Sequence, residues 1–374
     1  MSTPLPLPPG ARLVHVGPHK TGTTALQSAL HQARDDMAAQ GVRYASRTRH
    51  DRRAAEWIVR RLIAGADPGR AERAWDGLAE RLTADTSDRR IFSSEFLSDA
   101  SDDRIEEILA RLSTDNLWIA VTLRPLARIL PSQYQQGIQR GGVRAYDEWL
   151  HSVLDVDPAR PAPPQFWVRH RHDELVRRWS ARLGPDHVVV VVIDPADHSF
   201  LPHTFEDLLG LRRNTLSDKK VRENRSLTAV EVELLRRFNR HFLELGLGSA
   251  HYARLVDQFK RHVKRRQPPP DEPRLLTPDW AIDRANEIGR EMADDIRASG
   301  APVIGDLDSL GTEPSRGVSA TPEPPTTIDV DVAAWFATGL ALAATRTQPA
   351  STEARQAEPP PRSIARRVRA RRRR

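Results

Sequence analysis

The run from Leu13 to Gln27, L-V-H-V-G-P-H-K-T-G-T-T-A-L-Q, constrains the fold more than any other part of this 374-residue chain. Leu13, Val14 and Val16 make a short apolar run that stops at Gly17. A loop of small and polar residues follows, and from Thr24 apolar side chains recur at Leu26, Leu30, Ala33 and Met37 with a helical period. The stretch therefore reads as strand, tight turn, helix. Such a turn aims main-chain N–H groups and the positive end of the helix dipole at one point, which favours an anion. Lys20 adds a mobile positive charge, and Thr21, Thr23 and Thr24 add hydroxyl donors. A helix-capping turn without a ligand is the alternative reading of the same residues.

The order of residues within the loop narrows the choice of anion. Nucleotide-triphosphate loops end in G-K-[S/T], with lysine directly after the last glycine. Here lysine precedes the glycine, as K-T-G-T-T, so that pattern fails. Gly17-Pro18-His19-Lys20-Thr21-Gly22-Thr23-Thr24 instead resembles the 5′-phosphosulfate loop of sulfotransferases of the bacterial carbohydrate and small-molecule type. Those enzymes use 3′-phosphoadenosine 5′-phosphosulfate (PAPS) as co-substrate. The resemblance implies that Gly17, His19, Lys20, Thr21, Gly22, Thr23 and Thr24 bind the donor, with Lys20 also catalytic through the departing 5′-phosphate.

Further along, the apolar runs at 90–94, 117–123 (L-W-I-A-V-T-L) and 188–193 (V-V-V-V-V-I) read as strands. Helical periodicity lies between them, at about 51–83 with a break at Pro68-Gly69, at 102–112, after Pro125, and at 166–183. Uninterrupted apolar strands alternating with helices predict an α/β three-layer sandwich around a central parallel sheet, P-loop NTPase-like in its phosphate-binding strand–loop–helix. Thr228-x-x-Glu231 reads as a capping box opening a helix to about Leu245, and further helices are expected at 250–265 and 278–299. The expected organisation is a Pro-rich leader at 1–10, a sulfotransferase-like domain at 11–300, and a largely disordered Pro- and Arg-rich tail at 301–374, with a short helix near 332–344.

In open parallel sheets ligands gather at the carboxyl ends of the strands, where Lys20, Glu95 and Arg124 all follow apolar runs. Arg124 and Ser132, eight residues apart on a strand–helix unit, resemble the family's grip on the donor's 3′-phosphate, a dianion suited to a planar guanidinium. Glu95, directly after a strand in S-S-E, is the candidate general base for the acceptor hydroxyl. Its alternative role is an N-terminal helix charge. Arg128 and the loop Arg222, Asn224, Arg225, Ser226 read as solvated. The thirteen histidines show no metal-ligand spacing, so no metal is expected.

Composition bounds the rest. There is no cysteine, which removes disulfides and thiolate metal sites and suits a cytoplasmic setting. The net charge is +7, but residues 362–374 hold eight arginines and no acid, leaving the remainder near neutral and arguing against a specific nucleic-acid partner. An apolar segment followed by that basic run suits peripheral contact with an anionic inner-membrane surface; a solubilising extension is the alternative. The function implied is transfer of a sulfuryl group from PAPS to a hydroxyl or amine of a glycan, glycolipid or small metabolite. A nucleotide-dependent kinase or NTPase with a degenerate loop, and a non-catalytic nucleotide-binding protein of the same fold, stand as alternatives.

Overall fold

A computed structural model of the chain describes residues 5–62, 65–84, 87–113, 115–156, 165–216, 225–246 and 249–347. The described residues fall into two units: Met1–Asn239 with Asp271–Pro325, and Arg240–Pro270 with Thr326–Arg374. Residues 157–164, Arg222, Asn224 and the Arg-rich run at 362–374 lie outside the described residues.

The first unit is built on a parallel sheet of six strands in the order β2-β3-β1-β4-β5-β6. Its strands are β1 (Arg12–His15), β2 (Val42–Tyr44), β3 (Arg89–Ser93), β4 (Leu117–Leu123), β5 (Val188–Val192) and β6 (Val303–Ile304). Between β1 and β2 run α1 (Thr23–Gln32) and α2 (Arg34–Ala38), and between β2 and β3 run α3 (Arg52–Ile58) and α4 (Pro68–Thr83). A 3-10 turn at Glu95–Asp99 and α5 (Asp102–Arg111) lead to β4. After it come α6 (Leu126–Ile138), α7 (Tyr146–Leu154), α8 (Gln165–His170) and α9 (His172–Leu183), and after β5 come α10 (Phe200–Leu209) and α11 (Ala229–Glu244). In chain order α12 (Ser249–Val263), α13 (Asp279–Ala298) and α14 (Val330–Thr347) follow.

Alternation along the strands divides the core into two layers, because successive side chains point to opposite faces. Leu13, Ile91, Ala120, Val189 and Val191 pack with Leu26 and Leu30 of α1, Met37 of α2 and Phe205 of α10. Val14, Phe92, Ile119, Val121 and Val190 pack on the other face with Trp57 of α3, Trp75 of α4, Ile105 of α5 and Trp179 of α9. This is the three-layer α/β arrangement that the alternating runs predict. It places β1 in the middle, between β3 and β4, with His15 opposite Ser93 on one side and Ala120 on the other. The loops after β1, β3 and β4 therefore open at the same edge.

Several boundaries differ from the sequence reading. The leader is not peripheral: Leu7 is fully buried in the α1/α10 layer, and its carbonyl accepts from Arg89 Nε at 2.6 Å. Residues past 300 belong to the sheet, since Val190 and Val191 pair with Val303 and Ile304 and Leu307 and Leu310 are buried. The helix expected at 166–183 is broken at Arg171, whose guanidinium turns onto Asp173 at 2.5 Å. Arg225 is not a solvated arginine: it holds both oxygens of the buried Glu231 carboxylate at 2.7 Å. That carboxylate completes the capping box, accepting from Thr228 N at 3.0 Å while Glu231 N donates to Thr228 Oγ1 at 3.3 Å.

In the second unit α12 and α14 pack through Phe259 on Phe336, ring centroids 5.0 Å apart, and His262 stacked on Trp335 at 4.4 Å. No helix among the described residues is long and apolar enough to cross a membrane.

Candidate active site at the carboxyl edge of the sheet

The loop after β1 has the backbone of an anion cradle. Gly22, the N-cap of α1, lies in the left-handed region at φ 79°, and no side chain caps the first turn. Ala25 N and Leu26 N donate to the Gly22 carbonyl, which leaves the Thr23 and Thr24 N–H groups without an intrahelical acceptor. Lys20 also has positive φ, 74°, an uncommon conformation for a residue with a β-carbon and one that clusters where function holds the backbone. Gly17 is required by crowding: a Cβ there would stand 2.5 Å from Thr23 Oγ1, 2.6 Å from His15 Nε2 and 2.8 Å from Thr122 Oγ1.

Beneath the loop a chain of buried hydrogen bonds ties three strands together. His15 Nδ1 meets Ser93 Oγ at 2.8 Å, His15 Nε2 meets Thr122 Oγ1 at 3.0 Å, and Thr122 Oγ1 meets Thr21 Oγ1 at 2.8 Å. Thr21 spends its one hydroxyl proton on the Pro18 carbonyl, 2.8 Å away. Thr122 must then donate to Thr21, and His15 must donate from Nε2, leaving Nδ1 to accept from Ser93. Burial holds the His15 ring neutral by lowering its pKa to about 3. Thr21 therefore positions the loop from below rather than facing a ligand. His15 and Thr122 were not singled out from the sequence. The signal was there, as one polar residue inside each of two apolar runs.

Thr23 Oγ1 is buried and, among the described residues, has no hydrogen-bond partner. An orphaned buried hydroxyl is costly unless something completes it, and at the mouth of an N–H-lined turn a phosphate oxygen is a fitting acceptor. The loop thus has the features of an anion site. Arg124, half-buried at the end of β4, reaches the same loop and donates to the Lys20 carbonyl at 3.4 Å. Burial, then the neighbouring Arg128 charge, lower its pKa against an opposing pull from Glu313. Arg128 itself is committed to the buried Glu313 carboxylate at 2.5 Å, not to solvent.

Glu95 opens the 3-10 turn after β3, and its Oε2 accepts from Gln27 Nε2 at 3.1 Å. The same amide donates to the Ser93 carbonyl at 3.0 Å, so α1 and the end of β3 are pinned side by side. Lys20, Arg124 and Glu95 are thereby brought to one edge. Ser132 is not joined to them: on α6 its hydroxyl donates to the Ile129 carbonyl at 3.0 Å. Thr24, at the exposed start of α1, makes no side-chain hydrogen bond among the described residues.

His19 turns away from the anion cradle. Its buried ring lies edge-on to Phe96 and 3.7 Å from the Asp99 carboxylate. Asp99 also takes Arg61 at 2.6 Å and Arg169 at 2.9 Å. Burial alone would raise that carboxyl, but the His19 ring and the Arg169 guanidinium outweigh it and hold it at about 2. No group of three or more His, Cys, Asp or Glu able to hold a metal occurs among the described residues.

No protein-family model matches the chain, and no curated protein does. Among solved structures, a sulfotransferase from Alicyclobacillus acidocaldarius aligns at 15% identity over 65% of this chain and 98% of its own, with a TM-score of 0.38.

Proposed function

We propose that the chain is a PAPS-dependent sulfotransferase acting on a hydroxyl or amine of a glycan, glycolipid or small metabolite. The observation that carries the reading is the β1–α1 turn: a K-T-G-T-T loop with Lys20 and Gly22 both at positive φ, an uncapped helix start and a buried, unpartnered Thr23 hydroxyl.

In this reading the first-turn N–H groups with Thr23 and Thr24 hold the donor's 5′-phosphate, and Lys20 neutralises the charge that grows there. Arg124, with Ser132 rotating its hydroxyl off the Ile129 carbonyl, holds the 3′-phosphate. The acceptor oxygen attacks sulfur in line, the bond from sulfur to the bridging 5′-phosphate oxygen breaks, and Glu95 takes the acceptor's proton. Adenosine 3′,5′-bisphosphate leaves. Like phosphoryl transfer, such a displacement depends on positioning and charge stabilisation. Titration calorimetry with adenosine 3′,5′-bisphosphate and with ATP plus magnesium tests it. The bisphosphate is expected to bind at least tenfold more tightly; a preference for ATP and magnesium would overturn the reading in favour of a kinase or NTPase.

A further inference from the structure

The turn after β3 is fixed from several sides. Ser94 Oγ accepts from Phe96 N at 3.3 Å, and Ser98 Oγ donates to the Glu95 carbonyl at 2.7 Å, so the backbone on both sides of Glu95 is tied down. Its carboxylate is held by Gln27. That residue, nearly fully buried on α1, turns its amide N–H groups onto the Ser93 carbonyl at 3.0 Å and Glu95 Oε2 at 3.1 Å. The Glu95 side chain is half-buried, and among the described residues its Oε1 accepts no hydrogen bond. One carboxylate oxygen is therefore occupied and the other is open.

Gln27 stands one helical turn beyond Thr23, whose buried hydroxyl has no partner among the described residues. Helix α1 thus carries the anion-binding turn at its start and the anchor of the Glu95 carboxylate one turn later, so a rigid element sets the two against each other. An unheld glutamate samples several rotamers, and a reacting group misplaced by about 1 Å loses on the order of a hundredfold in rate. The choice of an amide matters. A guanidinium or ammonium at the same place would pair with the carboxylate and make it a poorer base, whereas a neutral N–H positions it with less of that loss.

We propose that Gln27 is the positioning residue for the general base: it holds Glu95 Oε2 and leaves Oε1 as the oxygen that takes the acceptor's proton. The inference rests on the sulfotransferase reading, which names Glu95 as the group facing the acceptor. As the acceptor oxygen bonds to sulfur and the bond from sulfur to the 5′-phosphate oxygen breaks, the proton passes to Oε1 while the Gln27 amide stays on Oε2. Gln27 acts through Glu95 and not on either substrate.

The test follows the initial rate of label transfer from saturating 35S-labelled PAPS to an extract of the source cells, and the calorimetric affinity for adenosine 3′,5′-bisphosphate, in the 374-residue chain. Gln27→Met keeps the length of the side chain without its donors, and Gln27→Asn keeps the donors but falls short by one methylene. Each is expected to slow transfer about tenfold or more, with bisphosphate affinity within twofold of wild type. In a Glu95→Gln background Gln27→Met should slow transfer less than twofold further, because a residue that acts through Glu95 then has nothing left to position. Should Gln27→Met fail to fold, Gln27→Asn carries both arms. The proposal is overturned by a Gln27-variant rate within twofold of wild type, by an equal proportional loss with and without Glu95→Gln, or by a parallel loss of bisphosphate affinity. Failure of both Gln27 variants to fold also overturns it, as a purely structural role. A Glu95→Gln rate equal to that of wild type, or a wild type that transfers no label, counts against the sulfotransferase reading and its base, and removes the inference with it.

Discussion

Substituting Gly17 by alanine should damage the loop after β1. The added Cβ would meet three polar atoms at 2.5, 2.6 and 2.8 Å, all closer than a Cβ tolerates. The Thr23 hydroxyl is free to rotate, but the other two atoms are held. The His15 ring is locked between Ser93 and Thr122, and the Thr122 hydroxyl is locked between His15 and Thr21. Relief must come from moving the strand end or breaking the relay. Overpacking of this kind costs about 1–3 kcal/mol. For a unit of this size about 2 kcal/mol corresponds to a fall of roughly 3–4 °C in Tm. The loop would also be displaced, so affinity for adenosine 3′,5′-bisphosphate should fall about tenfold or more. Gly137→Ala is the control, because a Cβ there meets nothing within 4 Å and sits inside α6. It should be neutral or gain about 0.5–1 kcal/mol. Melting curves and calorimetry on both variants decide the matter, and a Gly17→Ala protein with wild-type Tm and affinity would refute the argument from crowding.

Three further expectations follow from the site. Arg124→Ala should weaken adenosine 3′,5′-bisphosphate far more than 5′-AMP, since only the former carries a 3′-phosphate; equal weakening in calorimetry would move Arg124 to a role at the Lys20 carbonyl alone. Glu95→Gln should lower turnover by about a hundredfold while leaving bisphosphate affinity near wild type, and a retained rate would return Glu95 to the role of a helix-end charge held by Gln27. Stability should fall as pH drops from 7 to 5, because burial holds His15 at about 3, His172 at about 4 and His170 well below its ordinary value. These rings stay neutral in the fold but protonate in the unfolded chain below about 6.5, so each costs about 2 kcal/mol over that interval. Asp99, depressed to about 2, has the opposite window: its contribution is complete above about 4 and is lost only as pH falls towards about 2. A Tm that stays flat from pH 7 to 5 would contradict the buried neutral histidines.

What could be read from the sequence was local. The loop after β1 combines residue type and order within eight positions, and β4 and β5 are unbroken apolar runs, so their places in a parallel sheet follow from periodicity. Strand β6 is two residues long among Pro and Gly and is made a strand by pairing with Val190 and Val191, which no window on 300–310 contains. Leu7 is similar: a lone apolar residue in a Pro-rich run gains its place from α10, two hundred residues away. The positioning relay depends on His15 meeting Thr122, and the charge cluster on Arg169 meeting Asp99. Such pairs have no spacing to recognise. The contact of the buried His19 ring with Asp99 has no sequence signal for the same reason, since its neighbour Lys20 makes a phosphate contact the natural expectation.

The most direct test of the central claim is turnover of the donor. The 374-residue chain is incubated with 35S-labelled PAPS and an extract of the source cells, and both adenosine 3′,5′-bisphosphate release and label on the acceptor are followed, beside Lys20→Ala. The wild type is expected to release bisphosphate in step with labelling of the acceptor fraction, and Lys20→Ala, still folded by its melting curve, to be about a hundredfold slower or worse. PAPS that is bound but left intact by the wild type, or equal rates in the two proteins, would contradict the account.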